Sequence, residues 1–204
     1  MKATLTTTAL IAAVVAQDYN VTSRPFQLVL HGDVSGTVDA CDLGRFGPPN
    51  RSLVSFCYYE LSGDPSPYTT FNFNTTSSAQ APVNRTDVGI PGLLTWFQPN
   101  RDYPPIPAFL GFTNGFEWGG EGDLAPIVQP VVRVPAPIVG RQLVTFNDQD
   151  ELVVPDSEGT KKWFVCQHKF GGAYTYRMVI WGAGTGGKGD PPCVAADGMK
   201  RVFI

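Results

Sequence analysis

Outside its first 16 residues, no stretch of this 204-residue chain keeps apolar side chains at a 3.6-residue spacing for three turns. What recurs instead is the period-two run, with alternate side chains on opposite faces of an extended backbone. Ten such runs stand out: Pro25–Leu30, Leu53–Tyr59, Thr70–Phe73, Leu93–Phe97, Val131–Val134, Leu143–Phe146, Leu152–Val154, Trp163–Cys166, Tyr174–Trp181 and Val202–Ile204. They are rich in β-branched and aromatic residues and are separated by Gly, Pro, Asn and Asp, which favour turns over strands. The 22 glycines and 18 prolines, with only 16% charged residues, suit the same architecture and disfavour a helical bundle. The expectation is an all-β domain of two packed antiparallel sheets, a sandwich, with a small closed β-barrel or a β-trefoil-like fold as the alternative.

Residues 1–16 read as a secretion leader. Lys2 supplies the positive start, Ala9–Val15 a short apolar run, and Ala16 the small residue at which cleavage occurs, so the mature chain is expected to begin at Gln17. The apolar run is far below the roughly 20 residues of a membrane-spanning helix, and Lys200–Ile204 is not the tail of a lipid-anchored precursor. Residues 17–204 are expected to form a single secreted β domain, soluble and without membrane insertion. Four N-glycosylation triplets begin at Asn20, Asn50, Asn74 and Asn84. All lie in the first half, so a binding face is expected elsewhere.

Export also governs the reading of Cys41, Cys57, Cys166 and Cys193. An even set in an oxidising compartment forms disulfides, and local pairing, Cys41 with Cys57 and Cys166 with Cys193, is expected because each pair flanks a turn-rich loop between strand-like runs. Asn147–Glu151 reads as a hairpin connection, a solvated turn rather than a calcium loop. Residues 99–137 hold eight prolines, and because proline lacks an amide donor this stretch is expected to be loop and edge strand.

The formal charge of −3 and the pI of about 5.3 offer nothing to a phosphate backbone, so nucleic acid is excluded as a partner. Gly182, Gly184 and Gly187 satisfy G-x-G-x-x-G, and Gly182 through Lys188 satisfies G-x-x-x-x-G-K, yet both motifs need a following helix to bind phosphate. Asp190-Pro191-Pro192-Cys193 opens none, and the loop reads as a hairpin closed by the second disulfide. His31 and His168 are the only histidines, and neither sits in a nucleophile setting. Cys166 and His168 share a strand face, but an oxidised cysteine gives no thiolate to a metal. Gln17 at the mature terminus excludes copper oxygenases that use an N-terminal histidine. No metal and no cofactor is expected.

Two chemistries stay open. Glu117 and Glu121, beside Trp118-Gly119-Gly120, are the candidate carboxylate pair of a glycoside hydrolase. The aromatic set, Trp96, Trp118, Trp163, Trp181, Tyr58, Tyr59, Tyr68 and Tyr103, offers planar surfaces for stacking on sugar rings. Most are expected to fill the core, with Tyr103 and Trp118 in the Pro/Gly region as the glycan-stacking candidates.

Trp163-Phe164-Val165-Cys166, Gly172-Ala173-Tyr174-Thr175-Tyr176, Trp181-Gly182, Pro192-Cys193-Val194 and Lys200-Arg201-Val202-Phe203-Ile204 resemble a family of small secreted proteins of filamentous ascomycete fungi, uncharacterised in function. Earlier echoes are Pro25–Leu30, Ala40-Cys41, Gly92–Trp96 and Val144–Asp148. The resemblance implies secretion, a fungal source and one compact domain with paired cysteines, and it brings no catalytic residue. The expected role is therefore non-catalytic, at the cell surface, in the cell wall or in the extracellular medium. The chain would act as a monomer, with a cell-wall polysaccharide or an extracellular protein as partner. The alternatives are a carbohydrate-binding module and a carboxylate-dependent glycoside hydrolase.

Overall fold

The computed structural model describes residues 19–42, 54–59, 64–83, 87–99, 104–114, 124–130, 141–154, 162–170, 174–182 and 193–204. Among these there is no helix, and the strands are β1 (Val21–Thr22), β2 (Phe26–His31), β3 (Gly36–Asp42), β4 (Val54–Tyr59), β5 (Phe71–Thr75), β6 (Gly92–Gln98), β7 (Ile106–Asn114), β8 (Leu124–Pro130), β9 (Leu143–Phe146), β10 (Leu152–Val153), β11 (Lys162–Phe170), β12 (Tyr174–Gly182), β13 (Val194–Ala196) and β14 (Gly198–Phe203). Nine of the ten period-two runs became strands; Val131–Val134 lies outside the described residues.

All the pairings are antiparallel and link the strands into one large sheet in the order β1-β5-β2-β3-β4-β12-β8-β7-β6-β9-β10, with β11, β13 and β14 joined at the side. The sheet forks at β2. Strand β14 pairs with β2 along its whole length, Phe203↔Phe26 to Gly198↔His31. A strand has only two edges, so β5, at Phe26↔Phe71, and β3, at Val29↔Thr37 and Leu30↔Gly36, share the other one. The closed barrel, the alternative to a sandwich, is not formed. The strand path turns back on itself through β5–β6 (Phe71↔Trp96 to Asn74↔Leu93), but the ring this would make is joined by only one pair at β2–β5 and two at β4–β8 (Val54↔Val128, Ser55↔Ile127), too short to seal a hydrogen-bonded wall.

The arms of the fork enclose the main core. Phe26, Leu28 and Leu30 alternate inward from β2 and are fully buried. Phe56 on β4 meets Phe71 on β5 edge to face at 5.5 Å, and Phe146 does the same with Phe26 at 5.6 Å and Phe73 at 5.2 Å. A second, smaller cluster lies on the opposite face of β3, β4, β11 and β12: Cys57, Phe164, Cys166, Met178 and Ile180, with Cys41, Cys193 and Ala195 against it. Because these four strands are buried on both faces, their side chains alternate between two cores rather than between core and water. The disulfides pair Cys41 with Cys57 and Cys166 with Cys193, and both lie in the smaller cluster.

The proline-rich stretch departs from expectation. Strands β7 and β8 fall inside it and are interior: β7 pairs with β6 and β8, and β8 pairs with β7, β4 and β12. The missing amide is tolerated because each proline has a register partner on one edge alone. Pro107 is opposite Phe97, Pro126 opposite Phe112 and Pro130 opposite Ala108, while β4 and β12 meet β8 only at Leu124, Ile127 and Val128. Each proline therefore occupies a local edge within an interior strand.

Candidate functional site

At one end of the main core, β10, the start of β11, the end of β12 and the Asp197-Gly198 turn leave a cleft of about 240 Å³. One wall is aromatic. Trp163 and Trp181 are directly opposite in the β11–β12 register, their ring centroids 4.8 Å apart and tilted by 50°. Phe112 backs Trp163 at 6.4 Å. Trp163 is thereby buried at 3% exposure, whereas Trp181 is half-buried and turns ring surface toward the cleft. Cross-strand pairing of two large rings holds the wall rigid.

The β9–β10 hairpin and the residue after it line the cleft with apolar Leu152, Val153 and Val154 and with one charged residue, Glu151. Asn147 Oδ1 accepts the amides of Gln149 at 3.0 Å and Glu151 at 2.9 Å, and the Asn147 carbonyl accepts the Asp150 amide at 3.0 Å. Asp150 takes φ 60°, a left-handed conformation that Asp tolerates. The Asn147–Glu151 segment is thus a tight turn, and it delivers Glu151 to the cleft. Glu151 is held there from several sides: Oε1 lies 3.1 Å from His31 Nε2 and 3.8 Å from Lys200 Nζ, and Oε2 accepts from Asn147 Nδ2 at 3.1 Å.

Two glycines make the rest of the site possible. Gly32, at φ +107°, lies so close to Asp197 that a Cβ would sit 2.6 Å from its Cγ, and the Asp197 amide donates to the His31 carbonyl at 2.8 Å. Gly198 packs on the His31 ring, where a Cβ would come within 2.6 Å of Nε2. Asp197 and Lys162 are exposed at the rim, and their charged ends have no partner among the described residues. Burial raises the Asp39 carboxyl above its ordinary value, but Asp39 lies on the sheet face opposite the cleft, in register with Cys57.

Glu117, Glu121, Tyr103, Trp118, Asn50 and Asn84 lie outside the described residues, as does the glycine-rich loop beyond Gly182. Asn20 is exposed just before β1. Asn74 sits in β5 at 9% exposure with Oδ1 unpartnered, a placement in which a sugar on its amide would have to displace neighbouring packing. Trp96 is core, its indole N–H donating to the Pro67 carbonyl at 2.8 Å, whereas Tyr68 is 51% exposed. His31 does not line the cleft itself but bonds Glu151 and packs on Gly198, two residues that do. Glu151 and Asp197 were not singled out, because a turn residue and a residue between two short strands carry no local pattern. Among the described residues no group of three or more His, Cys, Asp or Glu could hold a metal, and no helix is long and apolar enough to cross a membrane. No family model, no curated protein and no solved structure matches the chain.

Proposed function

We propose that the protein is a secreted, non-catalytic domain that binds a glycan of the fungal wall or its surroundings through the cleft beneath Trp181. The observation that carries this reading is the Trp163–Trp181 pair, 4.8 Å apart, lining with Glu151, Asp197 and Lys162 a cleft of sugar-ring size. An aromatic face meets the apolar C–H side of a pyranose, and flanking carboxylate and ammonium groups meet its hydroxyls. Two disulfides support an oxidising, extracellular setting, as does the likeness of the C-terminal residues to small secreted ascomycete proteins. In this reading the chain is a monomer, cleaved after Ala16, and the forked sheet is a two-layered sandwich with glycans on the flank around Asn20.

The test is depletion from solution by insoluble chitin, β-glucan and cellulose. Wild-type protein is retained by at least one, and Trp181→Ala, shown by a thermal melt to remain folded, is not. Failure of all three to retain the wild type removes the reading.

Glu151 and Asp197 line the same cleft, and this favours a second reading, glycoside hydrolysis by a carboxylate pair. Turnover on a panel of chromogenic glycosides, abolished by Asp197→Asn and by Glu151→Gln, would put it ahead of simple binding.

A further inference from the structure

Resting on the glycan-binding reading, we infer that the cleft takes one uncharged pyranose ring at the end of a chain, and that Asp197 and Lys162 select it. Size is the first ground. At about 240 Å³ the cleft formed by the described residues falls below the roughly 300 Å³ at which pockets for drug-sized ligands begin, a size that suits one ring. Modules that bind internal stretches of polysaccharide present an open row of aromatic faces. Here the two tryptophans form a single wall, with Trp163 shielded behind Trp181 and Phe112.

Charge is the second ground. Glu151 is already engaged by His31, Asn147 and Lys200, so its carboxylate shapes the wall and has little capacity left for a ligand. Asp197 and Lys162 are the two charged side chains of the lining whose ends are unpartnered among the described residues. One can only accept hydrogen bonds and the other can only donate them. A sugar hydroxyl does both, so a neutral ring satisfies each group. A uronate would gain Lys162 but meet Asp197 as a like charge, and an amino sugar would do the reverse; gain and repulsion offset, and each still has to shed the water around its own charge, a cost the neutral ring does not have. Asp197 is also held in place: its backbone amide bonds the His31 carbonyl, and its carboxylate rides over Gly32, where no other residue would fit. A rim group placed this firmly loses little freedom on binding, which favours selectivity.

The experiment is a titration followed by tryptophan emission, using glucose, N-acetylglucosamine, glucosamine and glucuronate, then the dimer to the hexamer of whichever neutral sugar binds. The neutral monosaccharide is expected to bind with an affinity within about threefold of its hexamer, since further sugars lie outside the pocket. The charged analogues and the variants Asp197→Ala and Lys162→Met each weaken binding by about tenfold or more, the loss that accompanies one charge-assisted hydrogen bond. Both positions are exposed, and thermal melts report that the variants fold. Affinity that climbs steadily with chain length overturns the single-ring inference while leaving glycan binding intact. Glucuronate or glucosamine binding as tightly as the neutral sugar overturns the selectivity. Wild-type protein that neither responds to any sugar nor is retained by any polysaccharide removes the underlying reading instead.

Discussion

The Met178 sulfur lies 3.9 Å from Cys57 Sγ and occupies the register row that also contains Cys166 on the next strand, so one methionine packs between the two disulfides. Met178 is fully buried, and its flexible thioether fills the space between two rigid crosslinks. Met178→Ala should lower stability by about 2–5 kcal/mol in urea unfolding, whereas Met178→Leu should cost less than about 1.5 kcal/mol because volume is kept. On the chain-entropy account the crosslinks contribute about 3 kcal/mol for the 16-residue separation of Cys41 and Cys57 and about 3.5 kcal/mol for the 27-residue separation of Cys166 and Cys193. If Met178→Ala proves neutral, the row has no packing role.

Asp39 shares that row, opposite Cys57, with Oδ1 buried and unpartnered. Burial raises its carboxyl above the ordinary 3.8 in the folded chain. A raised folded value means that stability is fully present below pH 3.8, where both states hold the proton, and is lost as pH rises through the folded value. Asp39→Asn should therefore leave stability nearly unchanged at pH 3 and raise it at pH 7, as measured by paired denaturant melts. An equal effect at both values would show that ionisation is not the cause.

The alternating runs made the β class and most strand positions legible, because period two survives wherever at least one face is apolar. Strand β3 was missed: Gly36-Thr37-Val38-Asp39-Ala40-Cys41-Asp42 has small and acidic residues where a strand signal needs large ones, and it is held by β2 and β4 from either side. Strands β7 and β8 were misjudged because sequence shows that a proline lacks a donor but not which edge of a strand needs one. The tryptophan pair was in view only as two of several aromatics. What joins it to Glu151 and Asp197 is the meeting of a hairpin, a turn and two strand ends distant in sequence, and local patterning does not record that.

Arg201 ties the C-terminal strand to the hairpin. Its guanidinium lies 4.3 Å from the Phe146 ring centroid and 5.1 Å from that of Phe203, and Nη2 is 2.8 Å from Asp150 Oδ1. Planar stacking is what lysine cannot supply, so Arg201→Lys should still cost about 1–2 kcal/mol despite retaining the charge. Melts in low and high salt separate the contributions. A loss that persists in 1 M salt, about a 3 Å screening length, is stacking, and one that vanishes is the ion pair.

Asn147 couples the fold to the cleft. Its side-chain oxygen closes the turn by accepting the Gln149 and Glu151 amides, and its side-chain nitrogen holds Glu151 Oε2 at 3.1 Å. Asn147→Ala removes both roles and should cost about 1–3 kcal/mol, because the turn amides lose an acceptor inside a partly buried loop. Asn147→Asp keeps the acceptor and so the turn, but it puts a carboxylate beside Glu151 in place of a donor. That variant should melt within a few degrees of wild type and yet bind sugar more weakly, since Glu151 is pushed from its position between His31 and Lys200. Tm and affinity measured on both variants decide the matter. Parallel losses in the two would make Asn147 a turn residue alone, whereas weakened binding with Tm preserved in Asn147→Asp shows that the orientation of Glu151 shapes the cleft.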